Sequence, residues 1–156
     1  MHKAHPLPAR YVRLGRAVVL GLMACAAVAS DNTLPVVDLR GARLEAFFKA
    51  YDCPGPLHVE EYLEAADAHA LDYRLLPAIS LVESTCGAFE RHNNRWGWDS
   101  VQSGFPSVPA GIEYVTEQLA ENPRYKGKTI RQKLFTYNPY KGYVRQVEQL
   151  MQQIED

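Results

Sequence analysis

From residue 39 onward, apolar positions recur every three or four residues in successive stretches, the spacing of helices that bury one face. Leu39, Leu44, Phe47, Phe48 and Tyr51 form the first stretch, weakened at its start by Gly41. It is closed by Asp52-Cys53-Pro54-Gly55-Pro56, where two prolines and a glycine leave only a turn. A second helix is predicted over 58–70, with Val59, Tyr62, Leu63, Ala66 and Ala70 on one side and a solvated face of Glu60, Glu61, Glu64 and Asp67 on the other. In the third, Asp72 is the expected N-cap, Leu75, Leu76, Ile79 and Val82 form the buried stripe, and Glu83 follows one turn after Ile79. Pro77, five residues past that cap, is expected to bend the helix slightly. Periodicity then fails from Gly87 to Pro109, a long loop of the kind that often carries function. Three helices close the chain: 109–121 with Ile112, Val115 and Leu119; 129–136 with Ile130, Leu134 and Phe135; and 141–154 with Val144, Val147, Leu150, Met151 and Ile154. No repeat and no convincing alternating strand interrupts them, so the expected class is all-α or nearly so, with room for a short hairpin in 88–106.

The first thirty positions carry Lys3, Arg10, Arg13 and Arg16 and no acid, then the apolar run from Ala17 to Ala29 ending in Ala27-Val28-Ala29. That is the layout of a secretory signal peptide. A run of 13 residues is short of the ~20 needed to cross a bilayer as a helix, so no transmembrane span is expected in the mature chain. The expected organisation is a signal over 1–29, a leader and helix over 30–56, and the main domain over 57–156, exported to the periplasm or beyond. In a second variant Leu22-Met23-Ala24-Cys25 is a lipoprotein box and Cys25 carries the anchor.

The four early cations leave with the signal, and the rest is net acidic, which gives no footing for a nucleic-acid partner. Cys53 and Cys86 then remain, and an even pair in an exported chain reads as one disulfide, with two free buried thiols as the alternative. The five histidines, among them His58, His69 and His92, have no ligand spacing with Cys or carboxylates, so neither metal nor cofactor is expected.

Three segments carry candidate chemistry. Asp72-Tyr-Arg-Leu-Leu-Pro-Ala-Ile-Ser-Leu-Val-Glu83-Ser84 ends an apolar helix in a carboxylate. Asn93-Asn94-Arg95-Trp96-Gly97-Trp98 lies in the long loop, and Tyr137-Asn138-Pro139 is followed by Tyr143 and Val144. In this order, over roughly residues 57–150, they resemble the lysozyme-like superfamily of bacterial lytic transglycosylases and glucosaminidases. The resemblance implies a single lysozyme-like domain that cleaves β-1,4 bonds of peptidoglycan or a related N-acetylhexosamine polymer. It implies Glu83 as catalytic acid, Tyr137 facing it, and the Asn93–Trp98 segment as cleft floor. Two departures stand out: Cys86 occupies the place of an aromatic two residues after Glu-Ser, and no Gly-Leu-Met-Gln segment occurs, which draws the reading toward the glucosaminidase branch.

The residues themselves support such chemistry. Glycosidic cleavage needs an acid that stays protonated near neutral pH, and a Glu beside a leucine-rich stripe is where desolvation raises a carboxyl pKa. Trp96, Trp98, Tyr137 and Tyr140 serve either as core aromatics or as rings that stack on sugars, while Asn93 and Asn94 have amides suited to N-acetyl groups. Ser84 either binds substrate or bonds back to the carbonyl of Ser80. No second carboxylate is evident; Asp99 and Glu90 are near only in sequence, and the substrate's N-acetyl group or a water held by Tyr137 are the other nucleophile choices. The rival reading is a non-catalytic envelope module that binds glycan strands or a secretion-machine partner.

Overall fold

A computed structural model describes residues 37–100 and 103–155. The expected signal peptide, its cleavage site and Cys25 lie outside the described residues. All of the described residues fall within one unit, Val36–Asp156.

The fold is all-α. Six helices follow in order: α1 (Arg40–Ala50), α2 (Val59–Ala68), α3 (Leu75–Ser84), α4 (Val108–Glu121), α5 (Ile130–Tyr137) and α6 (Lys141–Glu155). Among the described residues the 88–106 region holds only an isolated bridge between Arg91 and Asn94, not a hairpin. No helix among them is long and apolar enough to cross a membrane.

Helix α3 is the axis of the molecule. Leu75, Leu76, Pro77, Ala78, Ile79 and Ser80 are all buried, so its first turns are enclosed on every side, as expected of a helix apolar all round. It packs against α6 and α4; α2 lies on α4, α1 on α2 and α6, and α5 on α6. α1 supplies Leu44, Phe47 and Phe48 to the shared core, and α6 supplies Tyr143, Val144, Val147, Leu150, Met151 and Ile154 from a single stripe.

The ends of these helices follow from local chemistry. Ser107 caps α4, accepting from Ala110 N–H at 3.3 Å, with Pro109 in the first turn where its missing N–H has no partner to lose. Thr129 and Gln132 form a capping box at the start of α5. Lys133 is buried and donates to the Leu119 and Tyr125 carbonyls at 2.5 and 3.0 Å, tying the end of α4 to α5.

Helix α3 begins later than expected. The Asp72 carboxylate still takes the Arg74 N–H at 3.0 Å, but 72–75 form a turn and the helix proper starts at Leu75. Pro77 is therefore in the first turn, where an N–H has no intrahelical partner, and no helical bond is lost to it. The sequence-based expectation of a bend at Pro77 loses its cause.

At its other end α3 stops abruptly: Thr85 and Cys86 take left-handed φ of 53° and 55°, and Cys86 N–H closes on the Ser80 carbonyl at 3.0 Å. Left-handed backbone costs a non-glycine residue about 1–2 kcal/mol, so this corner is held by its surroundings. One restraint is the Cys53–Cys86 disulfide, with Cα atoms 5.4 Å apart across 33 residues. Closing such a loop contributes about 3–4 kcal/mol in the chain-entropy account. The bond is compatible with an exported protein.

Candidate active site

The end of α3 is sutured to the long loop. Ser84 is buried; its hydroxyl meets the Arg95 carbonyl at 2.7 Å and, more weakly, the Ser80 carbonyl at 3.3 Å, and it accepts from Gly87 N–H at 2.9 Å. These bonds occupy the hydroxyl and give Ser84 a structural task beside Glu83.

The loop is folded by its own amides. Asn94 donates to the Trp98 and Ser103 carbonyls at 2.9 and 3.0 Å and accepts from Trp98 N–H at 2.9 Å, while Asn93 donates to the Phe105 carbonyl at 2.9 Å. Both side chains expected to grip substrate are thus engaged with loop backbone. Arg95, buried, pairs with Glu90 at 2.8 Å.

The two tryptophans have different fates. Trp96 is 0% exposed and packs edge-on against Tyr62 and Phe105, so of the two roles open to it burial leaves the core one. Trp98 is half-buried among Tyr114, Tyr125 and Tyr137, with ring centroids 5.8–6.3 Å away. Gly97 separates them with φ of +61°, a conformation that suits glycine.

Glu83 faces this glycine. The residue as a whole is exposed, yet desolvation raises its carboxyl pKa above the ordinary 4.5. No cation lies within ion-pair distance of it among the described residues. The opposing influence is the Tyr143 hydroxyl, which is buried beside Glu83 but outside ordinary hydrogen-bond geometry.

Tyr137, rather than pointing its hydroxyl at Glu83, donates it to the Trp96 carbonyl. Its ring stacks on Tyr143 at 6.1 Å. Burial, and next the Glu83 charge, push both phenols up and keep them protonated. Both rings thus lie close enough to Glu83 to feel its charge, and it is the Tyr143 hydroxyl that acts back on the carboxyl.

Two cavities meet at Gly97. One of about 120 Å³ is lined by Glu83, Ser84, Phe89, Arg91, Asn94 and Gly97; the other, of about 310 Å³, by Gly97, Trp98, Asp99, Ser100, Arg124, Tyr125 and Tyr137. Tyr140, though 72% exposed, lines neither. Asp99 is the second carboxylate of this paired cleft, whereas Glu90 is committed to Arg95. Phe89, 79% exposed and on the wall beside Glu83, was missed by periodicity because it follows the helix in a segment without a repeat. A lone exposed aromatic six residues after a candidate acid was the available signal.

Size does not mark this site. A larger cavity, about 570 Å³, lies between α5 and α6 and is lined by no carboxylate, thiol or imidazole. Among the described residues no group of three or more His, Cys, Asp or Glu is arranged to hold a metal. What the Glu83 cleft offers chemically is one desolvated, unpaired carboxyl beside an aromatic-walled groove. Compared with known proteins, the chain matches no family model, no curated protein and no solved structure.

Proposed function

We propose that the chain is an exported glycosidase that cleaves β-1,4 bonds of peptidoglycan strands, with Glu83 as general acid. The observation that carries this reading is the raised pKa of a carboxyl without an ion-pair partner, in a cavity walled by Phe89 that meets the Trp98, Tyr125 and Tyr137 cavity at Gly97. Export rests on the basic, apolar, small-residue start of the chain, with the disulfide in keeping.

Protonated Glu83 gives its proton to the bridging oxygen as the C1–O bond breaks, and positive charge develops at C1. Tyr143 and Tyr137, both neutral, place no positive charge against Glu83, and among the described residues no cation comes within ion-pair distance to ionise it early. The incoming hydroxyl, of water or of the sugar's own C6, then returns a proton to the Glu83 carboxylate. Trp98 and Phe89 supply the faces on which sugar rings stack. Cleavage of purified walls or chitooligosaccharides by wild type and Glu83→Gln tests this. Turnover is expected to fall ~10²- to 10⁴-fold while binding is retained. Equal activity of the two proteins rejects the assignment.

A second reading, a glycan-binding module without turnover, draws on the commitment of Glu90 to Arg95 and of the Tyr137 hydroxyl to the Trp96 carbonyl. No cleavage by either protein, with glycan binding intact, selects it.

A further inference from the structure

The α5–α6 groove, of about 570 Å³, is larger than either cavity at Gly97, and the Glu83 chemistry does not use it. Its walls carry Lys128, Arg131, Lys141 and Arg145 around an apolar floor of Phe135 and Val144. Phe135 is 52% exposed there. Arg131 has a single acidic neighbour, Glu148 at 3.4 Å, and among the described residues no carboxylate comes within ion-pair distance of Lys128, Lys141 or Arg145. Lys128 is held in place by the Thr136 hydroxyl at 2.8 Å. Four cations gathered in one groove, with a single carboxylate among them at ion-pair distance, repel one another and favour an anion. The apolar floor favours one that also carries small hydrophobic groups.

We propose that this groove binds a short carboxylate-bearing peptide with small side chains, and that its source is the peptide stem of the polymer cut at Glu83. The second clause rests on the proposed function; the first does not. The two sites share the last turn of α5: Thr136 lines the groove and Tyr137 lines the cleft. Arg124, on the cleft side, donates to the Thr136 carbonyl at 3.4 Å, so positive charge runs from cleft to groove. A helix with side chains is about 10–12 Å across. A stem of four or five residues reaches at most about 13–18 Å when extended, enough to pass around that turn from a glycan lying in the cleft.

The test uses the full chain and the free tetrapeptide L-Ala-γ-D-Glu-diaminopimelate-D-Ala, its fully amidated counterpart, and inorganic phosphate. Binding is followed by chemical-shift changes and by titration calorimetry. The free peptide is expected to perturb α5 and α6, to weaken with added salt, and to bind roughly ten-fold less tightly to the Lys141→Glu/Arg145→Glu double variant. Both positions are exposed, so the variant keeps its fold, verified by circular dichroism. Glu83→Gln is expected to leave peptide binding unchanged. In cleavage assays the double variant should raise KM for peptide-bearing strands and leave strands stripped of peptide unaffected. Equal binding of the amidated peptide, equal binding of phosphate, or indifference to the charge reversal overturns the peptide site. Peptide binding without any glycan cleavage rejects the proposed function and the stem as source while the groove stands; cleavage without peptide binding does the reverse.

Discussion

Gly97 lies against the carboxylate of Glu83: a methyl group built on its Cα would stand 3.0 Å from Glu83 Oε2. The long loop thus sets the position of the candidate acid, and it does so with a residue whose φ of +61° penalises any side chain. Gly97→Ala is expected to lose about 1–2 kcal/mol of stability from the backbone alone and to push the carboxyl away from its packed position. Denaturant unfolding gives the first quantity. The pH–rate profile of the proposed cleavage gives the second, since a displaced carboxyl regains solvent and its pKa falls toward 4.5. An unshifted profile would mean that Gly97 does not position Glu83.

The same carboxyl links stability to pH. Its pKa is raised in the folded state above the ordinary 4.5, so the native protein holds that proton more tightly than the unfolded chain does. The associated stability is fully present below pH 4.5 and is lost as pH rises through the folded pKa. Glu83→Gln cannot ionise and escapes that loss. Its thermal midpoint should exceed that of wild type near pH 7 and approach it on acidification below pH 4.5. A difference between the two melting curves that does not change with pH would show that Glu83 titrates as an ordinary surface carboxyl.

His69 works with the same sign for another reason. Its Nδ1 and Nε2 lie 2.7 and 2.8 Å from Glu121 and Glu113, so it pins the end of α2 to α4. Hydrogen bonds to Glu113 and then Glu121 raise its pKa above 6.5. A neutral imidazole has one N–H and cannot satisfy both carboxylates, whereas the imidazolium can. The contribution is therefore present below pH 6.5 and fades as pH rises through the raised value. Both carboxylates are more than half exposed, which holds each pair to about 0.2–1 kcal/mol. His69→Gln should be destabilised at pH 5.5 relative to wild type and nearly equal to it at pH 8.5. The comparison is made by urea unfolding at the two pH values, and an equal deficit at both would remove the ionic clasp.

Much of the helical framework was legible because its signals are local. The stripe from Tyr143 through Val147, Leu150 and Ile154 identifies α6, and the Leu75–Ile79 run identifies the buried axis. The start of α3 was less so, because the Asp72 carboxylate caps a turn and the helix only follows it. Within the loop, Trp96 and Trp98 are indistinguishable by composition; the positive φ at Gly97 and the Asn94 bonds to Trp98 send one ring to the core and leave the other at the cleft. That Tyr143 joins Tyr137 near Glu83 depends on how 138–140 join α5 to α6, which periodicity does not encode. Phe89 follows the helix outside any repeat, and its position on the cleft wall comes from the left-handed corner at Thr85 and Cys86.

That position makes Phe89 the sharpest test of whether the cleft takes sugars. At 79% exposure the ring contributes little to the core, so Phe89→Ala should change stability by no more than about 0.5 kcal/mol. A ring on the wall of the Glu83 cavity loses its exposed face when a pyranose stacks on it, and that burial is forfeited by truncation. A loss of about 1.4 kcal/mol corresponds to ten-fold in affinity, and chitooligosaccharide binding by Phe89→Ala should weaken by roughly that factor. Phe89→Tyr, which keeps the flat ring, should restore it. Calorimetric titration of wild type and the two variants, each in the Glu83→Gln background to prevent turnover, measures all three affinities. Equal binding by Phe89→Ala would place the glycan elsewhere. A fall in affinity accompanied by a fall in stability well beyond 0.5 kcal/mol would instead show that the ring supports the corner after α3, with its effect on sugar arriving through Glu83.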